Sequence, residues 1–156
     1  MKRTIEVANV LLQNSLSAIL LLQRAPRLIN PHIWGLPGGV VDKGETDLFA
    51  GMRELKEETE ITESSLTIAG ITRFLVETPH EDLKITTIHA LSSLPHIPVR
   101  LNPDEHTAHK WVSEADIYRS ADLLPGSPTM IASVLHDNVG IIDLTMSNGI
   151  YVTKLR

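Results

Sequence analysis

The chain has 156 residues, 42% of them hydrophobic, which is the size and composition of one globular domain able to bury a continuous core. Its 14 Lys and Arg against 19 Asp and Glu give a net charge of -5, which repels a polyphosphate backbone and argues against a general nucleic-acid binder. Without cysteine there is no disulfide and no thiolate metal site, so any metal must be held by carboxylate, carbonyl or imidazole, a donor set that favours Mg²⁺ or Mn²⁺.

The start, Met1-Lys2-Arg3 before an apolar stretch, has the outline of a secretory leader, but Glu6, Asn9, Gln13 and Asn14 interrupt it. A cytoplasmic protein without a membrane span is expected. Ile5 to Leu12 and Ala18 to Gln23 are rich in Leu, Ile and Val and read as two strands joined by a turn at Gln13-Asn14-Ser15. Pro26 to Pro31 reads as a loop, and Trp34-Gly35-Leu36-Pro37-Gly38-Gly39 is too rich in Gly and Pro for a regular element. Thr46 can then cap a helix running to about Glu60, on which Leu48, Met52 and Leu55 form one core-facing stripe and leave the opposite side for chemistry.

Further strands are expected at Leu66 to Glu77 and Lys84 to Leu91, with a short one at Lys110-Trp111-Val112. Ser113-Glu114-Ala115-Asp116 opens like a capped helix, and Ser127 to His136 is a second helical segment with Pro128 in its first turn. Asn148-Gly149, between β-prone runs in Ile141 to Leu155, predicts a hairpin that could cover the domain's own edge or join two subunits as a homodimer. Strands and helices mix without a βαβ repeat, so an α+β fold in one domain over 1–156 is expected.

Glu54, Glu57 and Glu58 stand at i, i+3 and i+4 and project within an arc of about 100° on the helix side away from the apolar stripe. Like charges so placed repel by roughly 0.2–0.5 kcal/mol per pair on an exposed helix, and by more when partly buried. A divalent cation removes that penalty. Bound through hard oxygen ligands, it keeps several waters and reaches substrate phosphate oxygens, and a water acidified in this way can attack phosphorus. The small neighbours Ala50 and Gly51 are expected to leave room for the cluster.

From Gly39 to Ile61 the sequence reads GVVDKGETDLFAGMRELKEETEI. It resembles the Nudix box, G-x5-E-x7-R-E-U-x-E-E-x-G-U with U a bulky aliphatic residue, at Gly39, Glu45, Arg53, Glu54, Leu55, Glu57, Glu58 and Ile61. A chance match at the six polar or glycine positions has odds on the order of one in ten million per start site. Leu36-Pro37-Gly38-Gly39 and the strands on both sides extend the likeness over most of the chain.

The resemblance implies a Nudix fold, a mixed sheet sandwiched between helices, and metal-dependent hydrolysis of a phosphoanhydride bond in a nucleoside-diphosphate-linked small molecule. A (d)NTP or modified nucleotide, cut to a monophosphate and pyrophosphate, is the leading expectation. Nucleotide sugars, dinucleoside polyphosphates and a catalytically silent nucleotide-sensing module are the alternatives. The resemblance further implies that the Gly39 carbonyl, Glu57 and Glu58 bind Mg²⁺ or Mn²⁺, and that Glu54 is a ligand or the general base. Arg53 would hold a Glu carboxylate in register, and Glu45 would fix the loop against the helix. Glu105, with Asp104 behind it, would be a further loop carboxylate serving as ligand or base. One departure stands out: Glu60 occupies the last Gly position of the box, a helix end where left-handed backbone costs a residue with a Cβ about 1 kcal/mol. An altered helix exit with activity retained is expected.

Other residues carry two readings. Arg24 and Arg27, near a strand end, either meet substrate phosphate or are ordinary surface arginines. Trp34 either stacks on a base or packs under its loop. His106 and His109 are expected to be structural or solvent-facing. Leu75 to Leu83 and Leu123 to Pro128 are candidate pocket walls, and the markers some family members carry past the box are not met, since Glu77 and Pro79 stand there.

Overall fold

The structure is a computed structural model and describes residues 1–137, 141–147 and 150–154. In chain order the strands are β1 (Arg3–Gln13), β2 (Ile19–Arg24), β3 (Trp34–Gly35), β4 (Gly38–Val40), β5 (Leu66–Glu77), β6 (Glu81–Ser92), β7 (His106–Val112), β8 (Ile141–Ser147) and β9 (Ile150–Lys154). The helices are α1 (Asp47–Thr59), α2 (Glu114–Arg119) and α3 (Ser127–His136). Among the described residues no helix is long and apolar enough to cross a membrane. The Asn148-Gly149 turn lies outside the described residues, while the antiparallel pairing of β8 with β9 lies within them.

The strands form one mixed sheet in the order β3-β2-β1-β6-β5-β8-β9, with β4 paired to β1 and β7 to β2. β1 and β6 run parallel from Arg3 opposite Glu81 to Gln13 opposite Leu91, and β5 and β8 are parallel as well. β1 is covered on both faces, so successive apolar residues go to opposite cores. Val10 and Leu12 join Leu20, Leu22, Ile88 and the α1 residues Met52 and Leu55 on one face. Leu11 joins Ile19, Leu21, Ile117 of α2 and Ile131 of α3 on the other. The sheet therefore lies between α1 and the α2–α3 pair, the sandwich implied by the resemblance.

Thr46 caps α1 by accepting the Phe49 N–H at 3.2 Å, and the Leu48, Met52 and Leu55 stripe packs on the sheet. Two expectations about this helix need correction. Ala50 and Gly51 are buried against the sheet and make no room for the carboxylates: a Cβ on Gly51 would lie 2.5 Å from Ile88 Cδ1, so its absence sets how closely the helix approaches β6. The helix exit is also unaltered, because Glu60 itself takes the left-handed conformation (φ 62°) and donates its N–H to the Lys56 carbonyl at 2.8 Å.

The Gly- and Pro-rich segment after the first loop is more regular than expected. Leu22 pairs with Gly35 and Gln23 with Trp34, while Gly38, Gly39 and Val40 pair with Asn9, Ala8 and Val7. Neighbouring strands supply the hydrogen bonds that local propensity does not. The short strand expected at Lys110-Trp111-Val112 begins four residues earlier, at His106, because β2 offers a pairing edge along that length.

Candidate active site

One acidic cavity of about 270 Å³ lies where the end of β2, the β3–β4 connection, α1 and the loop before β7 meet. Gly38, Gly39, Glu54, Glu58, Glu105 and His106 contribute its polar wall, with Arg24 at the rim and Leu36 and Leu124 among the apolar residues. The loop is tied down locally. Asn102 accepts the Glu105 and His106 N–H groups through its carbonyl at 3.1 and 3.0 Å, and the Glu105 carbonyl accepts the Ala25 N–H at 2.8 Å. Glu105 is thereby carried to α1 from 47 to 51 positions further along the chain than Glu54 and Glu58.

Glu58 departs from the expected solvent side of the helix. At 100° per residue it lies only about 60° round from Leu55, on the flank of the core stripe, and the residue is 2% exposed. Its Oε1 accepts the Gly38 N–H at 3.3 Å, while Oε2 has no hydrogen-bond partner among the described residues. Burial, and then the charges of Glu54 and Glu105, push the Glu58 pKa up to about 9. Glu105 is also raised, mainly by burial and the charge of Glu54.

Arg53 organises the other carboxylates. Its Nε and Nη2 donate to the two oxygens of Glu45 at 2.8 Å each, and Nη1 donates to Glu54 at 3.0 Å and to Glu57 at 3.2 Å. The paired bond from Arg53 holds the Glu45 carboxyl below its usual range, and Glu45 also accepts the Asp42 N–H at 2.8 Å, which fastens the loop to the helix. Gly39 lies directly against Glu54: a Cβ there would sit 2.5 Å from Glu54 Oε1.

Glu54, Glu58, Glu105 and Gly39 are thus brought together, whereas Glu57 is more exposed and reaches the group through Arg53. Arg24 lines the cavity and anchors its Nε on the Ile29 carbonyl at 2.7 Å. Two expected substrate contacts lie elsewhere. Arg27 is exposed and paired with Asp104 at 2.6 Å, and Trp34 packs beside the Leu11–Ile131 core with the Lys110 ammonium 4.2 Å from its ring centre. His106, set aside as structural or solvent-facing, is buried in the cavity wall with Nδ1 3.7 Å from Glu58 Oε2. Its position directly after Glu105 at a strand start was the available signal. His109 is exposed on the same strand.

Among the described residues no three carboxylate or imidazole groups are already closed into a metal cage. The donor set nevertheless fits a hard divalent cation: a buried carboxylate oxygen lacks a partner, and a glycine backbone stands where a side chain would collide with Glu54. A buried carboxylate without compensation is costly, and a cation compensates it. The fold and site therefore define a hydrolase that cleaves phosphoanhydride bonds in nucleotide-linked compounds.

The chain belongs to the Nudix family: the NUDIX domain model matches residues 2–134. It is 38% identical over 104 residues to the asymmetrical bis(5'-nucleosyl)-tetraphosphatase of Mus musculus, a match spanning 65% of this chain and 67% of the mouse protein. The crystal structure of a C. elegans Ap4A hydrolase binary complex superposes with a TM-score of 0.70 at 28% identity, covering 84% of this chain and 95% of that one. The MutT protein from Methanosarcina mazei Go1 gives 0.63 at 31% identity, covering 79% and 86%. Hydrolases of this family generally use a divalent metal.

Proposed function

We propose that the chain cleaves a (d)NTP or a modified nucleotide to a nucleoside monophosphate and pyrophosphate, using Mg²⁺ or Mn²⁺ held by the Gly39 carbonyl, Glu54, Glu57 and Glu58. The observation that carries this is Glu58 Oε2, buried and unpartnered among the described residues on a wall shared with Gly39, Glu54 and Glu105. When bound, the cation would acidify a water and screen charge on the anhydride.

The chain's own residues do the rest. Arg53 holds Glu54 and Glu57 within the span of one guanidinium, so their carboxylates are oriented before substrate arrives. Glu105, with a raised pKa at the cavity wall, is the general base that accepts the proton of the attacking water, and Glu54 is the alternative. Arg24 at the rim meets a substrate phosphate oxygen.

A second substrate class, dinucleoside polyphosphates, is favoured by the names of the mouse and C. elegans relatives. Turnover with Mg²⁺ and Mn²⁺ across nucleoside triphosphates, oxidised nucleotides, nucleotide sugars and dinucleotides separates these classes through the products formed. Loss of turnover in Glu57→Gln is expected. Tight nucleotide binding with no metal-dependent turnover of any substrate would instead support the sensing module.

The same proposal takes 1–156 as one cytoplasmic domain, and the pairing of β8 with β5 supports the single domain. It includes a homodimer through the terminal hairpin, which a solution mass of one 17.2 kDa chain would remove.

A further inference from the structure

His106 reaches the acidic cavity through an irregularity in the sheet. β2 and β7 pair antiparallel from Ile19 opposite Val112 to Gln23 opposite Ala108, and the register then slips so that His106, not Thr107, stands opposite Arg24. An extra residue of this kind in one strand re-aims the side chains beside it. Leu20 and Leu22 pack with Met52 and Leu55 of α1, and alternation puts Arg24 and its partner on that same face. Regular pairing would have turned His106 to the opposite face. The slip turns it toward Glu58 of α1.

The pair so formed is buried: His106 is 9% exposed and Glu58 2%. His106 Nδ1 and Glu58 Oε2 stand 3.7 Å apart, and neither has a hydrogen-bond partner among the described residues. The gap is too long for a hydrogen bond. It is short for a bridging water, whose two bonds of about 2.8 Å at a tetrahedral angle would set the ends about 4.5 Å apart. A bare ion fits better. Two donors about 2.1 Å from one divalent cation stand about 3.0–3.4 Å apart at right-angled or tetrahedral geometry, so the pair need close by only roughly 0.3–0.7 Å. A neutral imidazole with its proton on Nε2 presents a lone pair at Nδ1. Gly39, Glu54 and Glu105 line the same cavity.

We propose that His106 Nδ1 is a nitrogen ligand of the cation that Glu58 Oε2 binds, and that it makes the site select a transition-metal ion over Mg²⁺. Mg²⁺ takes oxygen donors and gives up its waters reluctantly, whereas imidazole suits ions later in the transition series. The assignment rests on the proposed metal-dependent hydrolase, whose ligand set it extends.

The test is pulsed electron paramagnetic resonance of Mn²⁺ bound to the full chain, which reads a directly bonded nitrogen without any turnover. Strong coupling to one nitrogen is expected. It should change when histidine is labelled with the heavier nitrogen isotope in otherwise unchanged protein, and vanish in His106→Phe. Calorimetry should give a ratio of Co²⁺ to Mg²⁺ affinity at least about tenfold lower in His106→Phe than in the wild type. If the variant does not fold, the labelled wild type decides alone. No Mn²⁺ binding, a spectrum without histidine nitrogen, coupling that survives in the variant, or an unmoved ratio would overturn the ligand assignment, even beside metal-dependent turnover. Histidine coupling without turnover of any nucleotide would overturn the hydrolase proposal and leave the ligand in place.

Discussion

Glu58 Oε2 and His106 Nδ1 face each other at 3.7 Å, both buried and both without a hydrogen-bond partner among the described residues. The separation is too long for a hydrogen bond. Burial pushes Glu58 up to about 9 and His106 down to about 4, so at neutral pH the metal-free pair is uncharged, with the proton on Glu58. The site is held ready for a cation at the expense of an acid that must first ionise.

Metal uptake at pH 7 should release about one proton, because a cation binds the ionised carboxylate. Calorimetry in buffers of different ionisation enthalpy measures it, and the release should vanish in Glu58→Gln. Release unchanged in that variant would assign the proton to another group.

Stability should depend on pH in a matching way. The folded value for Glu58 lies above its ordinary 4.5, so its contribution is full below 4.5 and is lost as pH rises toward 9. For His106 the folded value lies below its ordinary 6.5, so its contribution is present above 6.5 and is lost as pH falls toward 4. Only Glu58 of this pair acts between 6.5 and 9, and there the metal-free thermal midpoint should fall with rising pH. Glu58→Gln should flatten that decline in calorimetric melts.

Arg53→Lys tests the guanidinium fork. A lysine keeps the charge but cannot bridge both Glu45 oxygens while also reaching Glu54 and Glu57. Turnover should fall about 10- to 100-fold, with a stability loss of about 1 kcal/mol in urea unfolding. Wild-type kcat in the lysine variant would show that charge alone suffices.

Gly39→Ala separates the site from the fold. The new Cβ would meet the end of the Glu54 side chain at 2.5 Å, which can swing away at little cost to packing. Cooperative unfolding should persist, while Mn²⁺ affinity measured by electron paramagnetic resonance drops at least tenfold, about the effect of disturbing a ligand's support.

Glu60→Gly should stabilise the protein by about 1 kcal/mol, since glycine accepts the left-handed backbone without a Cβ penalty. Turnover should be unchanged. A large gain in activity would mean that residue 60 shapes the site as well as the helix end.

Legibility followed the range of the interactions involved. β5 lies over the residues expected of it, and α1 follows from the Thr46 cap and the Leu48, Met52, Leu55 stripe, because caps and periodicity act within one element. β3 and β4 were not legible, since their order comes from partners on β2 and β1 that override the local preferences of Gly and Pro.

The family, the acidic set on one helix and the oxygen-ligand chemistry were legible in the amino-acid sequence, because residue spacing and side-chain type are enough to place charges on a helix. Only the folded chain shows that Glu58 is buried and that His106 joins it from β7. Burial and an unpartnered atom both depend on neighbours contributed by strands distant in sequence, and only the folded sheet brings those neighbours together.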